Sequence, residues 1–169
     1  FNIGLIYEKG DGKPQNLAEA SRKFETAKHL GQPDALNNYG YMLQNGIGVD
    51  PDSKKALHYF EKAARKGNPS AMFNCGVKFQ NGDSVSKSQD KAFKKYQSAA
   101  LAGQPNAMYN YGMMLLNGKG VSKNKKKAAE FFKAAADKGH KNSAAAYASM
   151  CEKGDGIPVN MEEARRYNE

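Results

Sequence analysis

Histidine, cysteine and the loop glycines are the residues of this chain that could carry chemistry, and their spacing decides whether they do. His29, His58 and His140 are scattered, with no Asp or Glu at ligand spacing and no serine or cysteine partner at a common position. A zinc site or an activated nucleophile requires such neighbours, so all three read as surface or helix-end histidines. Cys75 and Cys151 lack CxxC or Cys/His spacing and are too few to staple a small secreted domain. They read as small buried hydrophobes. The pairs Gly46/Gly48, Gly118/Gly120 and Gly154/Gly156 could suggest a phosphate cradle, which needs a strand before it and a helix after it. Here each pair follows a helical stretch and recurs along the chain, so loop geometry explains it. No catalytic residues, metal ligands or cofactor-binding set emerge, and the chain reads as non-catalytic.

Recurrence itself is the stronger signal. EKGDGKP at 8–14 returns as EKGDGIP at 152–158, an interval of 144 residues, or four steps of 36. Glycine marks each step at Gly10, Gly46, Gly82, Gly118 and Gly154, and alanine does the same at Ala20, Ala56, Ala92, Ala128 and Ala164. Fixed self-similarity of this length is the mark of a repeat architecture. The register defines a single array over 1–169, with whole units 35–70, 71–106 and 107–142 and partial units 1–34 and 143–169.

Each unit predicts a helical hairpin. Ala35, Tyr39 and Leu43 recur every four residues, an apolar stripe on a helix A that Gly46 closes in the left-handed conformation. After Val49, Asp52 or Ser53 is placed to cap a helix B carrying Ala56, Phe60 and Ala63, which Gly67, Asn68 and Pro69 stop. One hairpin cannot bury its own apolar face, so the units must stack. The expected fold is an all-α, right-handed α-solenoid of helix-turn-helix hairpins, with helix A on the inner wall and helix B outside. Neither end carries a polar cap, which calls for more repeats, a covering partner, or end-to-end self-association. Phe1 opens the chain without a methionine, as a piece of a longer protein would.

The recurring pattern of A at the unit start, YG or CG five residues on, then NGxGV, KA, YF or FF, and AAxxG resembles the Sel-1-like repeat family, itself similar to tetratricopeptide repeats. Residues 107–142, AMYNYGMMLLNGKGVSKNKKKAAEFFKAAADKGHKN, match nearly every position. Ser84 replaces the second loop glycine of its unit, and Ala148 replaces the helix-A glycine of the last. The resemblance implies a non-catalytic scaffold or adaptor that binds a protein or peptide partner in the concave groove lined by A helices. A second implication is an accessory array within a larger enzyme or signalling protein, such as a kinase or a degradation complex. The β-lactamase activity linked to cysteine-rich relatives needs paired cysteines in each repeat, which this chain lacks.

By that resemblance Asn38, Asn74 and Asn110 face the groove, where amides bond a peptide backbone; alternatively they tie one hairpin to the next. Asn37, Tyr41, Phe73, Tyr109 and Met113 vary beside them, as specificity residues do. Phe73 and Tyr109 are assigned to the groove, while Met113 and Leu116 also suit packing between A helices. The formal charge is +9, and unit 107–142 holds eight lysines against Glu130 and Asp137. Lys119, Lys123, Lys125, Lys126 and Lys127 form a basic patch that reads as a solvated face, or as a site for an acidic or phosphorylated segment. Nucleic acid ranks low, because arginine is scarce and no aromatic residue interleaves with the cluster. These residues contain no apolar run of membrane-spanning length and no leader, which favours a cytoplasmic location.

Overall fold

The computed structural model describes residues 31–168 together with Arg22 and Thr26. His29, the first-unit glycine and alanine positions and nearly all of the partial unit 1–34 lie outside the described residues. The chain divides between Ser86 and Lys87 into two compact units. The first holds α1 (Pro33–Asn45), α2 (Ser53–Arg65) and α3 (Pro69–Asn81). The second holds α4 (Gln89–Leu101), α5 (Pro105–Asn117), α6 (Lys125–Ala136), α7 (Lys141–Lys153) and α8 (Met161–Asn168). Among the described residues there is no strand. The hairpins repeat every 36 residues as expected, but each A helix begins two residues ahead of the sequence-drawn boundary.

That shift has a local cause. Asn68 and Pro69, read from sequence as the stop of helix B, are instead the first residues of the next hairpin. Asn68 caps α3 by accepting the Ala71 N–H at 2.7 Å, and Pro69 occupies the first helical position, where a missing N–H costs nothing. Gln104 and Pro105 do the same for α5, with Gln104 accepting from the Ala107 N–H at 2.5 Å. Helix α7 lacks the proline and takes His140 as its cap. The A helices close as predicted: Gly46, Gly82, Gly118 and Gly154 sit at φ 67, 78, 70 and 66°. Of the two caps considered for α2, Asp52 is the one used; its carboxylate accepts from the Lys55 N–H at 2.9 Å.

Small residues set the helix spacing. Ala35, Ala71 and Ala107 on A helices, and Ala56, Ala92 and Ala128 on B helices, are all fully buried. A Cβ on Gly40 would fall 2.8 Å from Phe60 Cε1, and one on Gly112 would fall 2.6 Å from Phe132 Cε1. Both rings are fully buried. The B-helix aromatic that presses on the A-helix glycine lies 20 residues further on. At Ala148 the corresponding residue is Asn168, which instead donates to Glu152 at 3.1 Å, so the methyl of alanine is accommodated and buried.

Ser84, the other departure from the pattern, holds the loop conformation of the glycine it replaces, at φ 63°.

Candidate binding faces and the ionic ties between hairpins

In the first unit, Asn37, Asn38, Phe73 and Asn74 are half-buried and Tyr41 is 49% exposed. The Asn74 amide donates to Asn37 Oδ1 at 3.0 Å, bridging α3 to α1, and Asn37 donates in turn to Asn38 Oδ1 at a longer 3.3 Å. In the second unit Tyr109, Asn110, Met113 and Leu116 are half-buried. The Tyr109 ring lies 5.8 Å from Phe132 and 5.2 Å from His140, so it packs against both α6 and the α7 cap. Asn110 bonds the buried hydroxyl of Tyr96; burial pushes that phenol up to about 12, opposed by the Asn110 bond. Asn74 and Asn110 therefore each tie an A helix to the preceding hairpin, and they choose different partners. The B-helix residue at the same register position explains the difference: α4 offers the hydroxyl of Tyr96 to Asn110, whereas α2 offers Asn74 only Phe60, which has none.

The residues tested for chemistry sit apart. His58 is exposed, its ring edge-on to Tyr59 at 5.5 Å. His140 accepts the Ser143 N–H through Nδ1 at 3.1 Å, with Ser143 Oγ 2.8 Å from the same nitrogen, and its role is that of a helix cap. Cys75 and Cys151 form no disulfide and are fully buried. Among the described residues no group of three or more His, Cys, Asp or Glu could hold a metal ion, and no helix is long and apolar enough to cross a membrane.

Ionic ties between hairpins are the feature that the sequence reading missed. Lys78 is 1% exposed and occupies the register position where Met42, Met114 and Met150 are buried. Its ammonium meets Asp83 Oδ2 at 2.5 Å and donates to Ser53 Oγ, which itself donates to Asp83 Oδ1 at 2.8 Å. Lys78 first, and Ser53 after it, hold the Asp83 carboxyl below its ordinary value of 3.8. The Ser53–Asp83 bond spans 30 residues, and the second unit makes its ties at that same interval. There Lys125 meets Asp155 at 2.5 Å, Tyr167 donates to Asp137 at 2.5 Å, and Lys133 pairs with Glu163. Glu163 also accepts from Tyr147; Lys133 and then Tyr147 keep its carboxyl low. Burial, followed by the Glu163 carboxylate, drives the Tyr147 hydroxyl well above its usual range. Aligning the repeats by register exposes the signal, since Lys78 is the one charged residue in the column of Met42, Met114 and Met150.

Of the basic patch, Lys119, Lys123, Lys125 and Lys126 are exposed and Lys127 is half-buried, 5.9 Å above the Tyr111 ring. Lys125 is engaged by Asp155, so the five lysines do not act as one uniform cluster.

Several solved structures resemble this chain in fold. A Sel1 repeat protein from Oxalobacter formigenes superposes with a TM-score of 0.92 at 30% identity, covering 98% of this chain and 68% of that one. A protective antigen of uropathogenic Escherichia coli displaying an SLR fold gives 0.89 at 29% identity, over 98% of this chain and only 36% of its own length. Helicobacter pylori cysteine rich protein B, at 23% identity and a TM-score of 0.61 over 76% of this chain and 92% of that one, shares the fold alone. No curated protein sequence matches. The Sel1 repeat model matches residues 1–21, 33–68, 69–104, 105–140 and 142–167, and its spans from 33 onward follow the observed hairpins. This α-solenoid chain belongs to the Sel1 repeat family.

Proposed function

We propose that this chain is a non-catalytic scaffold that takes a segment of a partner protein along the faces of its A helices. Repeats of this family generally mediate protein–protein interaction. In the first unit the face comprises Asn37, Asn38, Tyr41, Phe73 and Asn74; in the second it comprises Tyr109, Asn110 and Met113. The observation that carries the reading is Tyr41, left 49% exposed on a helix whose Leu36, Tyr39, Met42 and Leu43 are all buried. A tyrosine offers a large rigid surface with one polar tip, and burying it against a partner yields more than leaving it in water. One turn away, Asn37 and Asn38 are only half-buried, so their amides keep capacity for a peptide backbone beyond the bond between them and the one Asn37 accepts from Asn74.

The test is a double substitution, Asn37→Ala with Tyr41→Ala, followed by affinity capture and a thermal melt. The expected melting temperature falls by only a few degrees, because Tyr41 covers little of the core and Asn37 gives up one half-buried bond from Asn74, while the partners captured by the native chain disappear. An unchanged captured set would remove the first-unit face from consideration. Substituting Asn110 or Tyr109 is a poorer test, since the first bonds Tyr96 and the second packs on Phe132.

A further inference from the structure

We infer that one edge of the second unit, separate from the A-helix faces, binds an acidic, extended segment of a partner protein. The edge is built by close backbone approach. A Cβ on Gly120 would lie 2.8 Å from the carbonyl carbon and oxygen of Gln89 and 3.1 Å from the Asp90 nitrogen, so the α5–α6 loop rests on the first turn of α4. Gly156 stands in the same relation to α6, where a Cβ would come within 2.4 Å of Lys125 Cβ and 3.1 Å of the Lys126 nitrogen. The stacking joins lysines that sequence spacing alone does not group: Lys87 and Lys91 flank the start of α4, Lys119 and Lys123 lie in the loop seated there, and Lys126 opens α6. All five are exposed.

Two of the carboxylates beside this edge are already engaged, and Glu130, one turn along α6 from Lys126, makes no ion pair with it. Asp90 pairs with Lys94 at 3.0 Å and Asp155 with Lys125 at 2.5 Å. Among the described residues no carboxylate pairs with Lys87, Lys119, Lys123 or Lys126. The first turn of α6 carries Lys125, Lys126 and Lys127 and no acidic residue, so positive side chains gather at the positive end of a helix. That arrangement opposes folding, and an anionic partner relieves it. The chemistry of the edge selects the partner. It presents lysine without arginine, hence no planar fork for phosphate, and no exposed aromatic ring on which bases could stack. An extended run of Asp and Glu matches a row of mobile ammonium groups without either.

The experiment uses the full chain with three probes: a fluorescent peptide of about ten alternating Glu and Asp residues, a duplex oligonucleotide, and vesicles containing phosphatidylserine. The expected result is peptide binding that weakens by about tenfold or more as salt rises from about 0.05 to about 0.3 M, with little affinity for the other two. Replacing Lys87, Lys119, Lys123 and Lys126 by alanine should abolish that binding without lowering the melting temperature, and the all-arginine version should retain it. The Asn37→Ala/Tyr41→Ala variant should bind the peptide as the native chain does, which separates this edge from the A-helix faces. The inference is overturned if the alanine variant binds the peptide normally, or if the oligonucleotide or the vesicles bind more tightly than the peptide at equal salt. Sedimentation that reveals a low-salt dimer lost in the alanine variant would overturn it too, by giving the edge to a second copy of the chain.

Discussion

Lys78 shows what one residue can change within a fixed scaffold. A methionine at this place needs only apolar neighbours; the lysine needs Asp83 and Ser53 arranged around its ammonium, because an unpaired buried charge is costly. Removing one partner and removing the whole charge therefore have opposite consequences. Asp83→Asn should destabilise the first unit by about 1–3 kcal/mol, less than a fully buried pair would lose because the carboxylate is partly exposed. Lys78→Met, which restores the residue found in the other repeats, should be neutral or stabilising by about 1 kcal/mol. Urea melts at neutral pH distinguish the two. Acid adds a further check. The Asp83 carboxyl titrates lower in the folded chain than its ordinary 3.8, so its contribution is complete above that value and is lost as pH falls through the lower folded value. The native chain should lose stability below about pH 4 more steeply than Lys78→Met does, and matching slopes would contradict this account. The letters of this site are plain in the sequence. What hides them is that the periodic stripe read at Ala35, Tyr39 and Leu43 runs beside the Met42 column, so an intruding lysine there attracts notice only after the repeats are aligned.

At the scale of the element, the position of a helix-A glycine was legible and its necessity was not. The 36-residue register marks Gly40, Gly112 and Ala148 as equivalents. Which of them tolerates a methyl group depends on the B-helix residue opposite, and that pairing is known only once the hairpin closes. Gly112→Ala should cost about 1–3 kcal/mol, because the added carbon would fall 2.6 Å from a buried Phe132 ring. Ala148→Gly should also destabilise, by about 1 kcal/mol, through lost helix propensity and a lost buried methyl. Thermal melts of the two variants check the pair; a Gly112→Ala variant as stable as the native chain would mean the Phe132 ring can shift. Helix starts carry the same lesson. Asn and Pro after Gly67 satisfy two descriptions, a stop for one helix and a start for the next, and only the bond from the Ala71 N–H to Asn68 decides between them. The loop glycines, by contrast, were readable outright, since a left-handed residue is required where the chain leaves helix A.

At the scale of the whole molecule, helices within each compact unit pack chiefly on their neighbours in the chain: α1 on α2, α2 on α3, and then in sequence from α4 to α8. Such arrays lose structure locally before they lose it globally. Phe60→Ala, which removes a fully buried ring from the first unit, should cost about 3–5 kcal/mol there. Hydrogen exchange should then show faster amides in α1 to α3 and nearly native protection in α7 and α8. Uniform loss of protection along the chain would indicate a cooperativity that nearest-neighbour packing does not supply. The repeat class, its period and its all-helical character could be read from the sequence because every unit restates them. The faces that would meet a partner could not be read with the same certainty, because asparagine at a recurring position serves equally to bond a ligand or to bond the next hairpin.

The ties at an interval of 30 residues have a consequence for how such a chain can grow or shrink by recombination. Excision of residues 107–142 would leave the glycine register unbroken and every loop of correct length. It would also set Asp155 against Gln89, Glu163 against Gln97 and Tyr167 against Leu101, in place of Lys125, Lys133 and Asp137. Backbone periodicity permits the deletion, but the side chains oppose it. The order of the repeats is thus inherited as a set of charges between neighbours, and a unit cannot be lost or exchanged without its neighbour being altered as well.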